Sequence, residues 1–217
     1  MFPALSTWSE EVRHLKETAV AGDHWGGDMP PIVRAYRADG TRIGEVVSPT
    51  VNRDDGLVAA MMMANVFIAE VIWMAVDARV TSEVNNPVTG KPWKIGEMQD
   101  LAKVGLDVSG LLQETIVLMS FQRDGTVDGL QLPYRVEGKT VRWEEPFTPD
   151  QTIGMLVDAV IDKAFKGPSM VDAAIRDGLM TEDEREEMEP RIIATVLDQF
   201  LQRGYIVLLD GPTASMN

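Results

Sequence analysis

Residues 57–76 place the strongest constraint on the fold, because the segment is apolar except for Asn65 and Glu70, and Asp77 follows it directly. The segment is long enough to span a bilayer, but polar groups at its interior positions would cost several kcal/mol there. A buried helix followed by a strand accommodates the same residues in a water-exposed protein. We therefore predict a central helix over residues 56–69, covered on more than one side, and a strand over residues 71–80.

Glycine-containing turns divide two other regions into short β-branched and aromatic runs. Asp39-Gly40 separates residues 32–38 from residues 41–47, which predicts a hairpin. A three-stranded meander is predicted further along, with strands over residues 115–122, 127–136 and 140–144. Pro133 lies in the middle run, where the missing backbone donor predicts a bulge, an interruption or an edge position.

The first helix is predicted to begin with a capping box, Thr7-Trp8-Ser9-Glu10. Its buried stripe is predicted to contain Trp8, Val12, Leu15 and Ala19. Lys16 is assigned to solvent, with His14 and Arg13, on the polar side of the helix.

The last third of the sequence is predicted to be mainly helical. Helices are expected from Pro149, with Thr148 as the N-cap, up to Gly167-Pro168, from Ser169 to Asp177 and after the capping box Thr181-Glu182-Asp183-Glu184, with Pro190 kinking or splitting the last one. Residues 205–209 are predicted to form a short, fully buried strand.

Together these elements predict an α+β fold. The sheet is expected to be mixed or antiparallel and to contain the β-meander, with the buried central helix and the helical C-terminal third packed on it. Residues 1–147 would form the α+β core, and residues 148–217 a mainly helical subdomain whose final strand joins that core. The strand order and the oligomeric state stay open at this stage.

The absence of cysteine and the scarcity of histidine narrow the possible chemistry. The 217 residues include no cysteine and two histidines, which removes disulfide scaffolds, thiolate metal sites and cysteine nucleophiles. Neither a P-loop nor a G-x-G-x-x-G fingerprint is present, so we predict no cofactor. The N-terminal residues lack the pattern of a signal peptide, and we expect a cytoplasmic protein.

The formal net charge of −14 disfavours direct binding to nucleic acids and to anionic membranes. Six of the eight residues in 182–189 are acidic, which is typical of a solvated helix start but also of a surface that binds a basic partner. The candidate acidic surface consists of Glu182, Asp183, Glu186 and Glu187.

Trp25 and Trp93 lie in loops rich in glycine or proline. A tryptophan in such a loop either packs down as an anchor, which we favour here, or serves as a contact point for a partner, because aromatic residues dominate interface hot spots.

Two functional hypotheses follow. The first is a non-enzymatic accessory or regulatory protein that binds a protein partner, possibly a basic one, through the acidic surface. The alternative is a metal-dependent hydrolase with Asp77, Glu70 and Glu83 as metal ligands, since carboxylates on and near a buried strand can bind Mg²⁺. The competing structural interpretation of Asp77, which we favour, is an ion pair with Arg79 or a solvated position.

Overall fold

Seven antiparallel strands form a single sheet in the computed structural model, which describes residues 3–81, 101, 103, 105, 112–148, 164–165 and 169–210. The helices and strands of this part of the chain are α1 (Leu5–Ala21), β1 (Ile32–Tyr36), β2 (Arg42–Val47), α2 (Arg53–Asn65), β3 (Val71–Thr81), β4 (Leu112–Gln122), β5 (Val127–Glu137), β6 (Thr140–Trp143), α3 (Met170–Arg176), α4 (Arg185–Gln202) and β7 (Ile206–Leu209). The predicted α+β class is confirmed, and the sheet is antiparallel throughout.

The strand order is β6-β5-β4-β3-β1-β2-β7, so β3 lies in the middle of the sheet. Both predicted hairpin regions are confirmed: β1 pairs with β2, and β4, β5 and β6 form the meander. β3 does not pair with β2, which precedes it, but with β1, because α2 carries the chain across the sheet.

Each face of the sheet has its own hydrophobic core. On one face, Trp8 and Val12 of α1 pack in a cluster that includes Trp73, and the rings of Trp8 and Trp73 are 5.7 Å apart. On the other face, α2 packs in a cluster with Phe200 of α4 and Tyr205. Burying apolar surface on both faces explains why β3 is almost entirely apolar.

The predicted central helix is confirmed as α2, with the adjacent Met62 and Met63 buried. It is not covered all round, since Val58 and Met61 are exposed. Its N-cap is Asn52, whose side chain accepts a hydrogen bond from the Asp54 N–H.

The predicted capping box at the start of α1 is wrong. The helix begins at Leu5, with Ala4 as its N-cap, so Thr7 is already inside the first turn. The Thr7 hydroxyl donates to the Ala4 carbonyl at 2.7 Å and leaves the helix N–H groups without a side-chain cap.

Pro133 causes neither a bulge nor an interruption in β5, which pairs with β4 in continuous register. The ladder between β5 and β6 reaches only as far as Tyr134, so Pro133 lies just beyond it. The Pro133 carbonyl accepts from the Glu144 N–H on that same side, at 2.9 Å. The missing proline donor therefore faces the side on which the regular ladder has already ended.

Only some of the predictions for the C-terminal third are confirmed. Ser169 caps α3 as predicted, and the capping box of Thr181 and Glu184 is present ahead of α4. Pro190 does not split α4, which runs unbroken through it from Arg185 to Gln202. Of the helix predicted from Pro149 up to Gly167-Pro168, only Ala164 and Phe165 lie within the described residues.

The final strand, β7, pairs with β2 but is not fully buried as predicted. It occupies one edge of the sheet, and Ile206 and Leu208 are each 55% exposed. Within the described ranges, no helix is long and apolar enough to cross a membrane.

Candidate binding site at the loop 22–31

Asp77 lies just past the middle of β3 with its side chain on the α1 face of the sheet, where only 7% of that side chain is exposed. Its Oδ1 accepts a hydrogen bond from the Tyr134 hydroxyl at 2.6 Å. Its Oδ2 accepts from the Lys16 ammonium at 2.6 Å and from the Met29 N–H at 2.9 Å. Both carboxylate oxygens are therefore engaged by donors from three different parts of the fold.

Lys16 is the cation that compensates Asp77, and it is only 1% exposed. Its ammonium also donates to the Gly27 carbonyl at 2.8 Å and lies 4.4 Å from the centre of the Tyr134 ring. The assignment of Lys16 to the polar side of the helix is wrong. Residues Trp8, Val12 and Lys16 are spaced four apart, which places Lys16 on the buried stripe.

Tyr134 completes the cluster, and its surroundings keep the phenol protonated. Burial, followed by the nearby negative charge of Asp77, raises the pKa of Tyr134 far above its usual value. The hydroxyl is therefore a permanent donor to Asp77 at physiological pH. We call Lys16, Asp77 and Tyr134 the buried polar cluster.

The buried polar cluster fixes the base of the loop over residues 22–31. The Gly27 carbonyl and the Met29 N–H are bonded to Lys16 and Asp77, as described above, so the cluster holds the loop backbone at two points. The loop itself turns through left-handed backbone at Asp23 and Trp25, with φ values of 52° and 50°, although neither residue is glycine. Such conformations are strained for residues with a Cβ and persist only where the surroundings enforce them.

Trp25 projects from this loop and is 53% exposed. The prediction that it packs down as an anchor is therefore wrong, and the alternative of a contact point fits its exposure. Its ring contacts the His24 ring edge-on, with centroids 5.9 Å apart. The second loop tryptophan, Trp93, lies outside the described residues.

A small pocket of about 100 Å³ opens next to the buried polar cluster. Its polar lining comes from Asp28, Asp77, Arg79, Glu114 and Tyr134. Arg79 lies 3.6 Å from Glu114, and Asp28 is 4.0 Å from the Lys16 ammonium. The pocket is smaller than typical small-molecule sites and has room for one side-chain head group or a few waters.

A wider groove of about 490 Å³ lies on the same face of the sheet, at the start of α1. Leu5, Trp73 and Leu130 give it an apolar floor, while Ser120 and Asp128 add polar groups. None of the predicted site residues that the structure describes lines this groove.

All four residues of the candidate acidic surface are exposed. Arg185 pairs with Glu182, and Arg191 pairs with Glu187. Within the described part of the chain, Asp183 and Glu186 make no ion pair. The acidic surface therefore keeps uncompensated negative charge.

Glu70 and Asp77, the two carboxylates of the alternative metal site that the structure describes, do not come together. Glu70 precedes β3 and lies 3.6 Å from Arg123, whereas Asp77 lies seven residues further along, about 23 Å away for an extended strand. Glu83 falls outside the described residues. In the ranges that the structure describes, no group of three histidine, aspartate or glutamate residues could hold a metal ion.

The favoured structural interpretation of Asp77 is also wrong. Arg79 pairs with Glu114 on the neighbouring strand, while Asp77 is buried and pairs with Lys16. The two β3 residues share a face of the sheet, but a buried carboxylate needs a buried cation, and α1 supplies it.

Comparisons with protein-family models, with curated proteins and with solved structures found no match to this chain.

Proposed function

We propose that this chain is a non-enzymatic accessory or regulatory protein that binds a basic protein partner, with Trp25 as the apolar anchor of the contact. The observation that carries the proposal is the half-exposed Trp25 on a strained loop whose base is fixed by the buried polar cluster. The acidic surface of residues 182–187 supplies the electrostatic attraction. A cytosolic location suits a chain without cysteine and is part of the same proposal.

The exposure of Trp25 favours a binding role over a structural one. A buried loop tryptophan would contribute its large apolar surface to folding, whereas Trp25 leaves about half of it in water. A rigid loop that holds an aromatic side chain in place reduces the entropy lost on binding. Tryptophan is among the residues that most often dominate the energy of protein interfaces.

The charge distribution favours a basic partner. Asp23 and Asp28 flank Trp25 in sequence, and the acidic surface adds Asp183 and Glu186 without compensating cations. The field of a chain with a net charge of −14 would accelerate the encounter with a basic protein and repel acidic competitors.

The experiment is an affinity capture with the immobilised full chain at low ionic strength, compared with Trp25→Ser. The expected result is a small set of basic proteins that bind the wild type, elute with salt and are lost with Trp25→Ser. Leu179→Ser is the matched apolar control, because Leu179 is 82% exposed and lies outside the loop. It should retain the same proteins.

The contribution of the acidic surface is tested separately by Asp183→Lys/Glu186→Lys. Asp128→Lys/Glu145→Lys changes the net charge by the same amount at two other exposed positions and serves as its control. The proposal requires that the first double variant bind the captured partner more weakly than the second. Equal binding by both, or capture that is indifferent to Trp25 and to salt, would contradict it.

A further inference from the structure

The edge strand β7 is short, with four residues, but it carries no charged residue or proline of the kind that protects the edges of many sheets. Its residues are Ile206, Val207, Leu208 and Leu209, with no charge and no proline, and among the described residues its outer side has no strand partner. Ile206 and Leu208 are each 55% exposed on the α1 face. An open, apolar edge of this kind is a template for pairing with another strand.

The backbone groups available for such pairing can be identified from the pairing with β2. The Asp210 N–H donates to the Ile43 carbonyl at 2.9 Å, and Gly44 is the register partner of Leu209. Hydrogen-bonded and non-hydrogen-bonded pairs alternate along an antiparallel ladder, so Ile206 and Leu208 bond to β2. Val207 and Leu209 therefore direct their N–H and C=O groups to the open side.

We propose that β7 pairs with β7 of a second copy of this chain, in an antiparallel arrangement about a two-fold axis at Leu208. In this register Val207 of each copy exchanges two backbone hydrogen bonds with Leu209 of the other, which satisfies the outward groups of both residues in each copy. The two Leu208 side chains meet across the axis as a non-hydrogen-bonded pair. The two seven-stranded sheets become one continuous sheet, and the contact is isologous.

Local charge favours a second copy over the basic partner proposed above. Arg42 and Asp210 form a two-point ion pair beside β7, and Arg34 pairs with the buried Glu45 next to Leu208 on the same face. The edge is thus electrically neutral and apolar although the whole chain carries −14. A basic protein would find no acidic residue of β7 to bind, whereas another neutral apolar strand matches it. The inference goes beyond the proposed function and does not depend on it.

The absence of cysteine allows a direct test by single-cysteine cross-linking of the full chain. Non-hydrogen-bonded antiparallel pairs have Cα atoms about 4.5 Å apart, which is within the range of a disulfide. Leu208→Cys should therefore cross-link into a covalent dimer under mild oxidation. Ile206→Cys is the matched control: it is equally exposed on the same face, but in this register it lies opposite Asp210, with the two copies of residue 206 about 13 Å apart along the strands.

Sedimentation velocity over a wide concentration range gives the second measurement. The wild type should be a concentration-dependent dimer that salt does not weaken, because screening reduces repulsion between two acidic chains. Leu208→Lys should be a monomer with unchanged circular dichroism, and Leu179→Lys, which adds the same charge elsewhere, should still dimerise. A wild type that is monomeric at every concentration would overturn the proposal, as would a dimer that survives Leu208→Lys. Equal cross-linking of both cysteine variants would overturn it as well.

Discussion

Lys16 and Asp77 form a buried ion pair in which the ammonium has three favourable neighbours and the carboxylate has three donors. Burying two charges costs several kcal/mol per ion, and only close contact with complete hydrogen bonding offsets that cost. The distances of 2.6 to 2.9 Å meet this requirement. The pair therefore acts mainly as a fixed support for the loop that carries Trp25.

Removing the cation should be costly because Asp77 would remain buried without compensation. We expect Lys16→Met to lower the free energy of unfolding by about 3–5 kcal/mol in urea denaturation. The backbone N–H of Met29, which donates to Asp77, should also exchange its hydrogen with solvent faster.

The double variant Lys16→Met/Asp77→Leu should lose less stability than the sum of the two single variants, because both charges are then absent. Lys139→Met, at an exposed position, provides the control and should stay within about 0.5 kcal/mol of the wild type. If Lys16→Met behaves like this control, the pair does not stabilise the fold.

At the residue scale, the sequence pattern indicated the burial of Lys16 but not the exposure of Trp25. Lys16 is four residues after Val12 and eight after Trp8, so its position on the helix places it with the core although its residue type suggests solvent. For Trp25 no comparable pattern exists. Whether a loop side chain packs or projects depends on the backbone dihedral angles of the loop, and in this loop they are set by distant residues such as Asp77.

At the scale of elements, the two hairpins were predictable because their turns are determined locally. In both turns an aspartate side chain accepts from the backbone N–H of a threonine two residues later, Asp39 from Thr41 and Asp124 from Thr126. These bonds lower the pKa of each aspartate. The intervening glycines adopt positive φ, which fits the turn chemistry read from the sequence.

The wrong prediction that β7 is fully buried has a different physical origin. A run of four apolar residues is equally typical of a central strand and of an edge strand, because hydrophobic periodicity reports burial only when polar residues alternate with apolar ones. The burial of β7 is decided by whether a neighbouring strand is present on its second side. That is a property of the topology, which no local pattern contains.

At the scale of elements, we predict the effect of a substitution at Gly44 of β2. A Cβ at this position would lie only 2.3 Å from the Leu208 carbonyl oxygen and 3.0 Å from the Leu209 Cα. Because both atoms belong to the backbone, the strands must move apart to accommodate it. We expect Gly44→Ala to lower the free energy of unfolding by about 1–3 kcal/mol and to accelerate exchange of the Ile206 and Leu208 amides.

The same substitution should weaken the dimer that we propose, because a displaced β7 no longer presents its outer groups in register. Val33→Ala is a suitable comparison, since it removes buried side-chain volume from β1, which is not a neighbour of β7 in the sheet. It should destabilise the fold, but the hydrogen exchange of the β7 amides, relative to that of the other amides, should stay unchanged. A Gly44→Ala protein with wild-type exchange in β7 would contradict the contact geometry.

At the scale of the whole molecule, the strand order could not be derived from the sequence. β3 passes over β2 to pair with β1, and β7 returns from the end of the chain to pair with β2. Each pairing depends on which strands are left with an open edge after the local hairpins have formed. The hydrophobic pattern fixes which residues are buried, but several strand orders would bury the same residues.

The three tyrosines allow a prediction about the whole fold, because they are the only tyrosines in the sequence and all three are buried. Burial raises the pKa of Tyr36, and burial followed by the negative charge of Asp55 raises the pKa of Tyr205 to about 12. The pKa of Tyr134 is raised for the same kind of reason, by burial and then by Asp77. In the unfolded chain each phenol should titrate near its ordinary value of about 10.

Since the folded pKa values exceed the unfolded ones, folding favours the protonated phenols. This contribution to stability is fully present below pH of about 10 and is lost as the pH rises from there through the folded pKa values, reaching about 12 for Tyr205. The free energy of unfolding should therefore fall steadily with pH above about 10. Phenolate absorbance should change little near pH 10 in the native protein, whereas in concentrated urea its titration should be centred near pH 10. Phenolate formation near pH 10 without loss of the native circular dichroism spectrum would show that the tyrosines are accessible in the folded chain, and would contradict this packing of all three.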